Sequence, residues 1–345
     1  DRGYHTEIYG GSHMVPQDSL LVVLVRLVDL IPTPPEPKPR KRGRSKTYPD
    51  KFFLKALVIM IVRQVHTPSG FLAILAQPSA EMQALRQELT LPNGRFACRR
   101  TWERRLATIP ETLPAQIACL GGFLLMSLGL WAQAACAAAI DSTVLIARGG
   151  VWHKKDREAN KVPHTSIDTE AHWTKSGWHG WVYGWKLHII VSAACHVWLP
   201  FAADVTSANV ADNEQAPTLI ENLPPGTHFL LGDQHYYDEA LFNLCGQQGC
   251  LLVASHTGKN NPYPHHDDGV DVRKLLHKTR SIAIENFNEH FKAIFDVHGS
   301  VPTKGLVATR RFVLGAVFVY QLAILYCHLN NLDLRLGFKA LLKAA

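Results

Sequence analysis

The chain has 345 residues, 47% of them apolar and 19% charged, which is enough to bury sizeable cores and is long for one domain. Its seven cysteines are odd in number and scattered, with no Cys-x-x-Cys pair, which argues for a reducing compartment and against a disulfide framework or zinc ribbon. The net charge of +7 sits in the N-terminal third: residues 1–110 carry 17 Lys/Arg against 9 Asp/Glu, residues 111–345 carry 19 against 20. That split suggests a polyanion-binding module on a near-neutral body, with nucleic acid the first candidate and anionic lipid the second.

Residues 1–46 are expected to be disordered or weakly ordered. The start, DRGYHTEIYGGSHMVPQDS (1–19), lacks the Lys/Arg-then-apolar layout of a signal peptide, and the segment ends in a Pro-rich stretch that turns basic, PTPPEPKPRKRGRSK (32–46). Within it Arg42 and Arg44 flank a glycine, a pattern able to enter an A·T-rich minor groove or to serve only as a solvated tether. Residues 47–134 read as all-helical. DKFFLKALVIMIVRQV (50–65) is a helix with Asp50 at its start, and Phe71 to Leu89 supplies one or two more. CRRTWERRLATI then sets Arg99, Arg100, Arg104 and Arg105 at helical spacing, with Trp102 and Leu106 on other faces. Such a helix suits a phosphate backbone or the major groove.

Two segments approach the length of a membrane span, Glu111 to Asp141 and Phe312 to Asn330, both uncharged between their ends. Glycines and Gln133 interrupt the first, Gln321 and His328 the second, so both are read as buried core elements. The membrane reading is the minority one.

From residue 135 the texture changes. AAIDSTVLIA (138–147), GWVYGWKLHIIVS (180–192) and HVWLPFAADV (196–205) read as strands. SANVADNEQAPTLIENL (207–223) reads as a helix capped by Ser207 or Asn209. THFLLGD (227–233) is a buried strand, YDEALFNLCGQQG a helix and CLLVASH (250–256) another buried strand. Residues 257–275 read as a loop. SIAIENFNEHFKAIFD (281–296) is an amphipathic helix with Ile284, Phe287, Phe291 and Ile294 on one stripe, and a long apolar helix closes the chain. This order is mixed α/β. In open α/β sheets, ligands gather at the carboxyl ends of strands.

Two of these strands deliver an Asp to or near their ends, Asp141 in AAAIDST and Asp233 in FLLGDQH. A carboxylate in a sheet core is costly unless paired or bound to metal. Taken singly, each reads as a turn or helix cap. Together with Glu285 from the amphipathic helix they would form an all-oxygen pocket for Mg²⁺ or Mn²⁺. Two such ions could drive in-line phosphoryl transfer. Lys292 lies two helical turns beyond Glu285, on the same side, and could hold a phosphate. Lys186 and His188 read as outward residues of a half-buried strand, with Lys186 a further candidate DNA contact. The Trp-rich stretch from Trp173 to Trp185, with histidines 172, 179 and 188, reads as edge and core aromatics rather than a metal site or a base-stacking surface.

Six stretches in order, AIDST (139–143), SIDTEAHWTKSG (166–177), YGWKLHIIVS (183–192), LPFAADVTSANVADN (199–213), LLGDQHYYDE (230–239) and RSIAIENFNEHFK (280–292), resemble the DDE transposases of bacterial insertion sequences, in particular the group with a Tyr-Arg-Glu-Lys signature. The resemblance implies an RNase H-like catalytic domain over 135–300, preceded by the helical DNA-binding region and followed by a C-terminal helix (301–345) packed on the catalytic domain. It implies Asp141, Asp233 and Glu285 as catalytic and metal-binding acids, with Glu289 as the fallback third acid. Arg280 and Lys292 take the signature's Arg and Lys, implying contacts to the transposon end. The implied activity is cleavage of double-stranded DNA at element ends and 3′-hydroxyl strand transfer. The implied setting is a dimer or higher assembly on DNA, in a bacterial cytoplasm and nucleoid, with two Mg²⁺ or Mn²⁺ ions. His277 stands where the signature has Tyr, His235 where a Gly is common, and one extra residue separates Arg280 from Glu285. A metal-dependent nuclease without strand transfer, or an inactive DNA-binding descendant, is the alternative.

Overall fold

The computed structural model describes residues 19–35, 47–130, 136–177, 180–193, 195, 197–254, 272–334 and 340–342. Arg42, Arg44, Gln133, His179 and most of the expected loop at 257–275 lie outside them. Five helices come first: α1 (Leu20–Leu30), α2 (Asp50–Val62), α3 (Pro68–Leu75), α4 (Ala80–Glu88) and α5 (Arg99–Ser127).

Helix α1 corrects the expectation of a weakly ordered start. Its sequence LLVVLVRLVDL is apolar almost all round, Ser19 Oγ caps the Val22 amide, and Leu21, Leu24, Val25 and Val28 are fully buried. A side chain of that kind contributes roughly 1.5–3 kcal/mol when buried, so the helix belongs to the core. The polar, proline-bearing sequence around it concealed this.

The second half holds β1 (Ala137–Ile146), the short α6 (Lys154–Glu158), β2 (His172–Ser176), β3 (Gly180–Ser192), β4 (Pro200–Ser207), α7 (Asp212–Ile220), β5 (Phe229–Leu231), a 3₁₀ turn (Gln234–Tyr236), α8 (Glu239–Gln247), β6 (Leu251–Val253), α9 (Val272–Phe295) and α10 (Leu306–Leu329). The sheet runs β4-β3-β1-β5-β6. β4, β3 and β1 are antiparallel neighbours, whereas β1, β5 and β6 are parallel. This is the RNase H-like order. β2 pairs with the outer half of β3, residues 180–184.

Strand β3 has the bounds expected from its Trp, Tyr, Val and Ile content. β2 and α6 escaped the sequence reading because HWTKS and KKDRE are short and polar. α7 starts five residues later than expected, behind Ala211, so neither Ser207 nor Asn209 caps it. α9 begins nine residues earlier than the apolar stripe suggested.

Helices α5 and α10 pack on each other and on β4. Both are long and apolar enough to cross a membrane, yet the most apolar stretch of α10 is 83% buried within the fold and that of α5 half buried. α10 is the core helix expected from its Gln321. That side chain is fully buried and donates to Ile117 O at 2.8 Å and Pro200 O at 2.9 Å, joining α5, α10 and β4. Gly121 permits the approach, since a Cβ there would stand 2.6 Å from Pro200 O. α10 also packs on α1 and α2, so it ties the helical region to the sheet as well as covering the sheet. Buried Arg311 reinforces the tie by donating to His66 O.

The stretch 166–177 has a structural duty. Asp168, 1% exposed, accepts from the Gly305 amide at 2.8 Å, and Glu170 accepts from the Leu306 amide. The two carboxylates satisfy free N–H groups at the start of α10.

Candidate active site

The parallel register of β1 and β5 sets the site. Ala137, Ala138 and Ala139 lie opposite Phe229, Leu230 and Leu231. Two residues beyond the last register pair come Asp141, still on β1, and Asp233, just past the end of β5, so the two acids lie near each other where these strands run side by side. β1 continues past Asp141 to Ile146, paired with β3 throughout, so this acid stands within a strand rather than at its end. β5 stops at Leu231, and Asp233 begins the 3₁₀ turn.

Each carboxylate is held by local donors and one cation. Asp141 Oδ1 accepts from the Ser142 amide at 2.8 Å, and its Oδ2 accepts from Arg280 Nη1 of α9 at 2.9 Å. Burial, opposed by Arg280 and reinforced by Asp233 and Asp212, raises the Asp141 pKa to about 6. Asp233 accepts from the His235 amide through Oδ1 and meets His235 Nδ1 through Oδ2, at 2.8 and 2.9 Å. The His235 pKa is raised, chiefly by this hydrogen bond. His235, unexplained by the sequence, is thus a clamp on the Asp233 carboxylate. The cap reading of Asp233 also holds, since the same side chain closes the 3₁₀ turn.

Two residues missed by the sequence reading join the cluster. Asp212, the first residue of α7, is an electrostatic neighbour of Asp141 and accepts from Lys186 Nζ at 3.0 Å, with His188 Nδ1 at 3.6 Å. Tyr236 is 2% exposed, and burial together with the Asp141, Asp212 and Asp233 charges raises its pKa. Its hydroxyl is a buried polar atom with no hydrogen-bond partner among the described residues. Asp212 carried a signal, a carboxylate at a helix start following a strand. Tyr236 carried none.

Lys186 is enclosed: its ammonium is spent on Asp212 and on Val210 O at 3.0 Å. His188 is buried beside it, which lowers its pKa to about 4 and leaves it neutral at neutral pH.

The third acid stands apart. On α9, Arg280 turns toward Asp141, and Ile284, Phe287 and Phe291 are buried on that side. At 3.6 residues per turn Glu285 points roughly 140° away from Arg280 and Glu289 roughly 180°. Glu285 is exposed, and Glu289 pairs weakly with His298 at 3.5 Å. Among the described residues no group of three His, Cys, Asp or Glu side chains is arranged to hold a metal ion. The donor chemistry of the Asp141–Asp233 pair, two carboxylates close together, suits a hard divalent cation. Glu285 does not join this pair in the structure. Lys292 is half-buried, and its pKa is lowered by burial.

In the helical region the arginines divide. Arg99 pairs with Glu103 at 2.7 Å, and Arg105 pairs with Asp50 and lies 4.6 Å over the Phe53 ring. Arg100 and Arg104 are exposed and have no ion-pair partner among the described residues. With Cys98 and Thr101 they line a recess of about 380 Å³.

Two carboxylates brought close where β1 and β5 run side by side, in a sheet of RNase H-like order, are of the kind that metal-assisted phosphoryl transfer uses. Residues 132–301 match the family model described as Transposase DDE domain. This segment, just under half of the chain, is a DDE transposase domain. DDE transposases use divalent metal ions and act on DNA. Among solved structures, the chain is similar to the piggyBac transposase synaptic complex with hairpin DNA, at 9% identity over 99% of this chain and 78% of that one, TM-score 0.43. It is also similar to a pre-cleavage Mos1 transpososome, at 12% identity over 84% and 82%, TM-score 0.22. At such scores neither likeness carries an argument. No curated protein matches the chain significantly.

Proposed function

We propose that the protein is a transposase that cuts DNA at the ends of a bacterial insertion sequence and joins the freed 3′-hydroxyl to target DNA, with Asp141, Asp233 and Glu285 as its acids. The observation that carries this reading is the closeness of Asp141 on β1 and Asp233 just past the end of its parallel neighbour β5, inside the matched segment. When bound, a pair of Mg²⁺ or Mn²⁺ ions would supply Lewis-acid activation of the attacking and leaving oxygens. Asp141 and Asp233 would hold them, with Glu285 joining from α9.

The chain's own residues position the reaction. The β1–β5 pairing fixes the two carboxylates on rigid backbone, and the His235 clamp fixes the orientation of Asp233. Arg280 would contact a DNA phosphate beside the Asp141 carboxylate it holds, and Lys292 on the same helix would take another. Arg100 and Arg104 would hold the backbone at the start of α5, with Arg99 and Arg105 committed to the scaffold. Work on two ends calls for a dimer or higher assembly.

Asp233→Asn is expected to abolish Mg²⁺-dependent cleavage of element-end DNA while leaving binding of that DNA intact. Cleavage that survives the change would overturn the assignment. An inactive DNA-binding descendant is the second reading, favoured by the exposure of Glu285. Wild-type protein that binds ends but never cuts them, with either Mg²⁺ or Mn²⁺, would select it.

A further inference from the structure

Of the aromatic stretch between Trp173 and Trp185, the structure buries or half-buries all but one described member. Trp185 is fully buried and Tyr183 is 2% exposed. Half-buried Trp173 lies 5.4 Å from Tyr183, the two rings tilted, and donates to Trp152 O at 2.9 Å. Trp181 is 68% exposed, the highest value among the large apolar side chains of the described residues. It stands on the part of β3 that pairs with β2 alone, opposite exposed Lys175. A segment with exposed Lys154, Lys155 and Lys161 runs beside this ribbon, held by Arg157 on His172 at 2.6 Å and by Trp152 Nε1 on Lys161 O at 2.9 Å. The ribbon's base is therefore fixed, and its indole is offered to solvent beside Lys175.

The pleat relates this indole to the acids. Trp181 and Ile189 are eight residues apart on β3, so they share a face, and Ile189 pairs with Asp141. At ~3.3 Å per residue the indole stands roughly 27 Å along the sheet from the acid pair. That span is roughly eight base steps of DNA.

We propose that Trp181 is a base-stacking residue: it takes the face of an unpaired DNA base, while Lys175 and its neighbouring lysines hold the phosphates. An indole offers its π-face to any base, and flanking cations fix the strand without reading sequence. This rests on the chain being a DNA enzyme, and it adds a contact outside the acid site. It assigns strand distortion, rather than base-pair readout, to the β2–β3 ribbon.

The test uses the full chain and a single-stranded (dT)30 oligonucleotide, with no divalent ion, so the result is independent of cleavage. Trp181→Ala is expected to weaken binding about tenfold, equivalent to about 1.4 kcal/mol for one stacked base, with an unchanged salt slope. Trp181→Phe is expected to retain most of the affinity, and Lys175→Ala to lower the salt slope by about one. Quenching of tryptophan fluorescence by (dT)30 should shrink in Trp181→Phe. Because Trp181 is exposed, both Trp181 variants should melt as the wild type does. Equal (dT)30 affinity for wild type and Trp181→Ala would overturn the proposal. So would a Trp181→Phe defect as large as that of Trp181→Ala. If Asp233→Asn still cleaves while Trp181→Ala loses (dT)30 binding, the acid assignment fails and the stacking site stands.

Discussion

The helical region and the sheet treat charge in opposite ways. In the helical region, cations and acids neutralise each other. Glu88 accepts from Arg26 and Lys55, each at 2.9 Å, Lys55 also meets Asp29 at 2.7 Å, and Arg63 meets Glu81. Burial works against the Glu88 charge, but these two cations outweigh it and lower its pKa. In the sheet region, Asp141, Asp212 and Asp233 crowd together with a buried tyrosine, and burial pushes Asp141 up to about 6. The first pattern is scaffold. The second keeps unfavourable charge in place and marks a site built for a ligand. Internal pairing leaves the net basic excess of the first 110 residues intact but takes Arg26, Lys55 and Arg63 out of the DNA-binding surface.

A large effect that would break this comparison lies at Lys55, which is 7% exposed on its side chain. Lys55→Met should destabilise the fold by about 2 kcal/mol, since it removes one of the two cations on Glu88 and the partner of Asp29. Urea denaturation monitored by circular dichroism measures it. A change below about 0.5 kcal/mol would mean that the pairing in the helical region is surface decoration.

A similar effect, of opposite sense, is expected at Asp141. Its pKa is higher in the folded protein than in the unfolded chain, so its ionisation weakens the fold. The cost is absent below about pH 4 and complete above about pH 6. Wild-type stability should fall across that window by about 2–3 kcal/mol more than that of Asp141→Asn. Denaturation midpoints at pH 4 and pH 7.5 test it, and parallel pH curves would remove the claim of stored strain.

The smallest effect sharpens the contrast inside the helical region itself. Arg100→Ala and Arg104→Ala should each lower the salt slope of duplex DNA binding by about one, with little change in melting temperature. Arg105→Ala should lower the melting temperature and leave the slope alone. Equal slope changes at all these positions would contradict the division into binding and scaffold arginines.

Much of this was legible from local pattern. β3 and the apolar runs before Asp141 and Asp233 declare themselves by β-branched and aromatic content. The stripe Ile284, Phe287, Phe291 and Ile294 gave the buried face of α9. Helix α1 was hidden by its flanks, and β2 by its polarity. What the sequence could not give was non-local. The partner of Lys186 is Asp212, 26 residues away, and the partner of Arg280 is Asp141, 139 residues away. Spacing along α9 showed that Glu285 and Lys292 share a side, but not which side faces the sheet. His235 became intelligible only when its ring was seen on Asp233.

The central claim, that Asp141 and Asp233 act as one cation site, is tested most directly by Mn²⁺ titration of the DNA-bound protein, followed by loss of the free-ion electron paramagnetic resonance signal. The expected result is saturable binding by the wild type, weakened tenfold or more in both Asp141→Asn and Asp233→Asn. Mn²⁺ binding that is unchanged in either variant would contradict the account.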